Sequence, residues 1–144
     1  MAVVTFTIPG KPFAKQRPRA TRQGRVYTPK ETVSFERVVG QIATQHFPEP
    51  IQGPVRLTVK ACFVPPKSWS KKRAMASLAT PHIQRPDIDN CIKAVADALN
   101  RIAWADDGQV SEIVATKHWQ MVEQTVVTVE AIAATQSALE EETE

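Results

Sequence analysis

Between Gly53-Pro54 and Pro65-Pro66 runs a segment whose pattern limits the possible folds more than any other: Val55-Arg56-Leu57-Thr58-Val59-Lys60-Ala61-Cys62-Phe63-Val64. Val55, Leu57, Val59, Ala61 and Phe63 share one parity, while Arg56, Thr58 and Lys60 take the other. A period of two belongs to a strand with one buried and one wet face, and the flanking prolines stop it at both ends. Such a strand cannot be stable alone. It requires neighbouring strands and an apolar layer over its buried face.

The rest of the chain supplies both. Val3 to Ile8 is β-rich and breaks at Pro9-Gly10. Residues 10 to 27 are basic and proline-interrupted, a long loop with a short strand at Arg25-Val26-Tyr27. Thr28-Pro29-Lys30-Glu31 carries helix-start signals: a cap at Thr28, proline at the first helical position and a capping box closed by Glu31. Phe35, Val38, Val39, Ile42 and His46 then follow at helical spacing, with His46 a helix-end residue rather than a ligand. Residues 66 to 85 form a basic excursion with a short helix near Lys71 to Leu78. A second main helix is predicted from Asp87 to Ala103, burying Ile88, Ile92, Val95, Leu99 and Ile102, with Trp104 in the core. Strands at Val110–Trp119 and Thr125–Ile132 are expected to pair as a hairpin. The expected fold is therefore a single α+β domain over residues 1–133, with two main helices packed on a mixed sheet in the order β-β-α-β-α-β-β. Residues 134–144 read as an acidic tail.

A chain of 144 residues is long enough for one self-sufficient core. No apolar run approaches the roughly 20 residues of a membrane span, and no signal-peptide pattern opens the chain, so the expected setting is cytoplasmic with no membrane partner. Cys62 and Cys91 lie in apolar contexts without CxxC spacing and read as two buried thiols, not a zinc site or disulfide. The net charge of +3 hides an uneven distribution. Lys11, Lys15, Arg17, Arg19, Arg22, Arg25 and Lys30 follow one another with no acid between them, and Lys67, Lys71, Lys72 and Arg73 surround Trp69. Either run alone reads as a solvated loop. Together they read as a phosphate-binding surface, where Tyr27, Trp69 or Phe13 would serve either in packing or in stacking on unpaired bases.

Against this basic background, acid is concentrated at Asp87/Asp89 and Asp106/Asp107, on either side of the second main helix. Clustered carboxylates repel one another unless a cation sits among them. Asp87 and Asp89 at an extended-to-helical junction can converge on one ion, or can simply cap the helix and complement its dipole. Asp106-Asp107-Gly108 alone is an ordinary turn sequence. Lys93 stands four residues after Asp89, placed for an i,i+4 ion pair or for a scissile phosphate. The helix is too long for its two ends to share one metal, so Asp107 has to return through neighbouring structure or come from a second subunit.

Taken in order, Arg85-Pro86-Asp87-Ile88-Asp89-Asn90-Cys91-Ile92-Lys93, Asp97-Ala98-Leu99 and Trp104-Ala105-Asp106-Asp107-Gly108-Gln109-Val110 closely resemble the RusA family of Holliday-junction resolvases, small endonucleases of phage and prophage origin. The resemblance spans roughly residues 3 to 132. It implies catalytic carboxylates at Asp87, Asp89 and Asp107, a catalytic lysine at Lys93, and Asp106 as an acid adjacent to the catalytic one. It further implies Mg²⁺ or Mn²⁺ as cofactor and a homodimer that cuts a four-way DNA junction by paired symmetric nicks. The stretch from Lys67 to Gln84 is longer than in compact members, and the acidic tail is additional. The competing readings are a related nuclease acting on flaps, forks or other branched DNA, and a catalytically silent junction-binding module.

Overall fold

In the computed structural model, which describes residues 2–132, the alternating segment becomes β4 (Val55–Phe63) at the centre of a four-stranded mixed sheet. Its neighbours are β1 (Val3–Pro9), β5 (Val110–Trp119) and β6 (Gln124–Ala131), in the order β1-β6-β4-β5. Two long helices, α1 (Lys30–His46) and α3 (Ile88–Leu99), cover one face of this sheet. A short helix, α2 (Lys71–Ser77), sits in the 66–85 excursion. Strands β2 (Arg19–Ala20) and β3 (Val26–Tyr27) form a separate two-stranded ribbon in the basic arm. The α+β class, the mixed sheet and the two covering helices agree with the sequence reading, and the tail lies outside the described residues. No helix among the described residues is long and apolar enough to cross a membrane.

Parity explains the core. Val55, Leu57, Val59, Ala61 and Phe63 of β4 are all buried, joined by Phe6 and Ile8 of β1 and by Val127 and Val129 of β6. Helix α1 packs Val39 and Ala43 against them, and α3 packs Val95, Ala98 and Leu99. Burying side chains of this size contributes about 1.5–3 kcal/mol each for the larger ones, enough to bind the helix layer to the sheet. On the opposite, wet face, Arg56 pairs with Glu112 and Glu130, and Thr5 hydrogen-bonds Thr128. Both cysteines are buried and free, as expected, and desolvation raises the pKa of each thiol.

Four expectations are corrected. First, β5 and β6 do not form a hairpin: β4 lies between them, parallel to β5 and antiparallel to β6. The chain reaches β6 by crossing the end of β4, where the Gln120 N–H donates to the Phe63 carbonyl at 2.8 Å. Two strand spacings amount to only about 9.6 Å, which the short connection spans easily. Second, α1 starts one residue late. Pro29 is itself the N-cap, with no side-chain cap, so the Thr28–Glu31 capping box does not form. Third, Val38 on α1 remains 44% exposed, because the buried stripe runs through Thr32, Val39 and Ala43 instead.

The fourth correction concerns α3, which ends at Leu99 rather than Ala103. Arg101 takes a left-handed conformation (φ 73°), and its N–H donates to the Trp104 carbonyl at 2.8 Å. This turn swings Trp104 into the core, where it is fully buried. A left-handed non-glycine residue costs about 1–2 kcal/mol. Burying an indole returns more than that, at about 25 cal/mol for each Å² of apolar surface removed from water. The stripe of α3 also shifts toward Cys91, Ala94, Val95, Ala98 and Leu99, leaving Ile88, Ile92 and Ile102 half-buried.

Candidate metal and nucleic-acid site

Asp87 is the N-cap residue of α3, with extended backbone (φ −69°, ψ 143°), yet its carboxylate makes no capping hydrogen bond. Asp89 stands in the first turn, and both side chains are exposed. The capping role open to Asp87 on sequence grounds is thus not taken up. Two carboxylates remain open to solvent beside the unsatisfied N–H groups of a helix start. Lys93, one turn further on, is also exposed and pairs with no carboxylate among the described residues, so the i,i+4 ion pair with Asp89 does not form.

An open pocket of about 440 Å³ adjoins this helix start, lined by Lys11, Arg85, Pro86, Asp87 and Asn90. Two cations and an acid face the same space, an arrangement suited to a phosphate held beside a cation-binding carboxylate. Arg85 was not among the residues singled out from the sequence, although its place directly before Pro86-Asp87 was signal enough.

Lys117 was also missed. Its ammonium donates to the carbonyls of Gln84 (2.6 Å) and Pro86 (2.7 Å), fastening the segment that carries Asp87 to β5. The available signal was parity: Lys117 alternates with Ala115 and Trp119, so it is a lysine on the core-facing side of a strand. Next to it, His82 is 5% exposed and lies between the rings of Phe63 (4.0 Å) and Trp119 (4.3 Å). Burial, and then the charge of Lys117, push the His82 pKa down.

Among the predicted phosphate contacts, Lys11, Arg17, Arg19, Arg22, Arg25, Lys67, Lys71, Lys72 and Arg73 are exposed. Arg19, Arg22 and Arg25 lie on the β2–β3 ribbon and its turn, where Thr21 Oγ1 accepts from the Arg25 N–H at 3.1 Å. Arg73 stacks 3.9 Å over Trp69, which leans on Trp119, and Phe13 stacks on Phe35 at 4.8 Å. Lys15 differs from the expectation. Its ammonium lies 3.1 Å from Glu36 and 3.2 Å from Asp97, while its backbone N–H donates to the Asn90 carbonyl. Desolvation opposes its charge, but the two carboxylates outweigh that and raise its pKa. Lys15 therefore ties the basic arm to α1 and α3 and is not a free cation.

At the other end of α3, Asp106 and Asp107 have separate tasks. Asp106 caps the single 3₁₀ turn Asp107–Gln109, its Oδ2 accepting from the Gly108 N–H at 3.0 Å. The Gln109 amide secures that turn by donating to the carbonyls of Ile51 (2.8 Å) and Gly53 (2.9 Å). Asp107 is exposed, and its Oδ1 accepts from the Trp104 indole N–H at 3.1 Å. The buried indole thereby orients one oxygen of the carboxylate.

The two acidic clusters do not meet within one chain. Lys117, at the Phe63 end of the sheet, holds the Asp87 segment, whereas Asp107 precedes Val110, which pairs with Val55 at the opposite end. Helix α3 between them is about 18 Å long. Accordingly, among the described residues no three His, Cys, Asp or Glu side chains gather closely enough to hold a metal ion.

With this geometry established, comparison with known proteins places the chain. The family model described as endodeoxyribonuclease RusA matches residues 9–130. The chain is also 36% identical over 143 residues to the uncharacterized protein YqaN of Bacillus subtilis (strain 168), a match covering 93% of this chain and 100% of YqaN. The matched span contains both acidic clusters, Lys93, Arg85 and Lys117, and on these grounds the chain belongs to the RusA endodeoxyribonuclease family.

Proposed function

We propose that this protein is a divalent-metal-dependent endodeoxyribonuclease that resolves four-way DNA junctions as a homodimer, with Asp87, Asp89 and Lys93 of one subunit and Asp107 of the other forming each site. The observation that carries this reading is the uncapped Asp87 carboxylate, which shares an open pocket with Lys11 and Arg85 at the start of α3. A purely structural N-cap would spend its carboxylate on the free N–H groups of the first turn. The division of the acids between opposite ends of α3 is the reason for a second subunit, which also accounts for two coordinated cuts.

The donor set fits a hard cation, since every candidate ligand is a carboxylate and none is a thiolate or imidazole. Mg²⁺ or Mn²⁺ held by Asp87, Asp89 and the other subunit's Asp107 would polarise the scissile phosphate and make a water molecule acidic enough to attack near neutral pH. Lys93 offers an unpaired ammonium one turn from Asp89, placed to stabilise negative charge developing on the phosphate. Lys11 and Arg85 orient the phosphodiester in the pocket, and Lys117 keeps the Asp87 segment in place. The exposed cations of the arm and of α2 grip the flanking backbone without reading sequence.

The test is incubation of the purified protein with end-labelled mobile four-way, three-way and linear duplex DNA, with and without magnesium. Paired symmetric nicks in the four-way junction, dependent on the metal, are expected. Preferential cutting of three-way substrates would move the assignment to a flap or fork nuclease. Tight junction binding without cleavage in either Mg²⁺ or Mn²⁺ would make the protein a binding module.

A further inference from the structure

A column of rings runs from the sheet out to the surface of the 66–85 excursion. His82 lies 4.0 Å from Phe63 and 4.3 Å from Trp119, Trp119 lies 4.8 Å from Trp69, and the Arg73 guanidinium sits 3.9 Å over the Trp69 ring. Local structure builds the outer end: Ser70 caps α2 by accepting from the Arg73 N–H at 3.1 Å, which fixes Arg73 one turn after Trp69. The inner end is set by the strap 79–82, whose backbone pairs with β5. The Ala79 N–H donates to the Trp119 carbonyl at 2.7 Å, and the His82 N–H donates to the Lys117 carbonyl at 3.0 Å. The strap delivers Ile83 and Gln84 beside Trp69 and Arg73, and these residues wall an open pocket of about 400 Å³. That volume is within the range of sites for small organic groups.

Packing explains only part of this arrangement. Anchoring α2, which buries no residue of its own, to β5 accounts for Trp69 meeting Trp119. It does not account for Ile83, which stands at the pocket wall and, at 90%, is the most exposed large apolar side chain among the described residues. Nor does it account for Arg73, which is exposed and meets no carboxylate among the described residues. A guanidinium stacked on an indole keeps its outer face for a second flat group. DNA-binding proteins use aliphatic side chains as wedges against base faces. Lys67, Lys71 and Lys72, all exposed on the same excursion, supply cations for the adjoining phosphates.

We propose that this pocket receives one unpaired nucleobase of the DNA, with the Trp69–Arg73 stack on one of its faces and Ile83 against the other. The proposal rests on the branched-DNA reading above and names the feature of branched DNA that the chain recognises. Within a duplex both faces of a base are covered by its neighbours, so a base already unpaired enters the pocket at the least cost. Every base has a π-face, so the pocket selects DNA structure rather than sequence. One side chain fixes its position relative to the candidate site: Lys117 holds the carbonyls of Gln84, in the pocket wall, and of Pro86, next to Asp87. Gln84 and Asp87 are three residues apart in sequence, at most about 10 Å along an extended chain. That equals about three stacked nucleotide steps, so the captured base lies within a few nucleotides of the phosphate at Asp87.

The test is equilibrium binding of the full chain, without magnesium and at fixed salt, to a duplex carrying a single unpaired thymidine and to the same duplex fully paired. The wild-type protein is expected to bind the first about 5- to 100-fold more tightly, the range for stacking a base on protein side chains. Arg73→Lys keeps the charge and loses the plane, and Ile83→Ser removes the apolar wedge. Each is expected to lower that ratio by about 5-fold or more, with the thermal melt of the protein unaltered because both side chains are exposed. A wild-type ratio close to unity, or a full ratio retained by either variant, would overturn the pocket. Cleavage is read separately, in magnesium. A wild-type protein that shows the preference but cuts no branched DNA keeps the pocket and sinks the nuclease reading. Metal-dependent cleavage by a wild-type protein without the preference keeps the nuclease and sinks the pocket.

Discussion

Mixing two inactive variants tests the division of acids between subunits most directly. Asp87 starts α3, whose 12 residues run about 18 Å, and Asp107 lies past the far end of that helix, beside the end of the sheet where Val110 pairs with Val55. Carboxylate oxygens sharing one divalent ion each lie only about 2.0–2.6 Å from it, a gap that no side-chain rotation closes. Asp87→Asn alone should abolish cleavage, because both sites of the homodimer lose the same ligand, and Asp107→Asn alone should do likewise. In a heterodimer the two losses fall on one site: the Asp87→Asn subunit lends its intact Asp107 to a partner whose Asp87 and Asp89 are untouched. If subunits exchange freely at equal concentration, half the dimers are mixed and each carries one working site, so about a quarter of wild-type site activity should return. The assay is nicking of an end-labelled junction in magnesium on a denaturing gel, after the subunits have been equilibrated and their dimerisation checked by sedimentation. The recovered products should be single nicks rather than paired cuts, since the other site is doubly disabled. A mixture no more active than either parent would show that each chain assembles its own site, and the argument from the length of α3 would fail.

Replacing Lys117 with Met removes both donors to the Gln84 and Pro86 carbonyls; magnesium titration of cleavage should show a loss on the order of 10–100-fold in metal affinity or rate, and an unchanged titration curve would reduce Lys117 to an ordinary strand residue. Lys15→Met should cost about 1 kcal/mol in urea unfolding, since Glu36 and Asp97 are partly solvated. Its salt dependence of DNA binding should be unaltered, whereas Arg19→Ala should lower the slope of log K against log salt by about one. His82 has its pKa depressed by burial, chiefly, and by Lys117, so the unfolded chain binds more protons below its ordinary value of 6.5. Stability is therefore fully present above that pH and declines as pH falls toward the lowered folded value. His82→Phe, which preserves the stack between Phe63 and Trp119, should flatten this acid slope in thermal melts recorded from pH 7 to pH 5.

Much of the architecture could be read from local pattern. The alternation in β4, the brief helix after Ser70 and the core position of Trp104 each depend on spacing within a few residues. Spacing survives folding because side-chain direction is set by backbone period. The proposed roles of Asp87, Asp89, Lys93 and Asp107 came from their order in a recognisable motif, not from any one residue type. Pairing partners were less accessible. The expected hairpin failed because adjacency in sequence favours β5 with β6, whereas burying the apolar face of β4 on both flanks favours placing it between them. The end of α3 was misplaced because nothing in Asn100-Arg101-Ile102-Ala103 forbids helix, and only the space waiting for Trp104 ends it there.

From its sequence alone this chain was committed to a one-sided sheet under two helices and to a basic surface, features that follow from composition and period, which act over single turns and strand steps. The choice of Asp87, Asp89 and Asp107 as candidate site acids came instead from the resemblance in their order along the chain. Tertiary structure alone decided that Lys15 is a tie rather than a phosphate contact, that Lys117 anchors the Asp87 segment, and that Asp106 caps a turn. It also set the two acidic pairs, already on either side of α3 in the sequence, at opposite ends of the sheet. Those outcomes depend on which distant backbone atoms come within about 3 Å of one another, a relation that no local pattern of residues encodes.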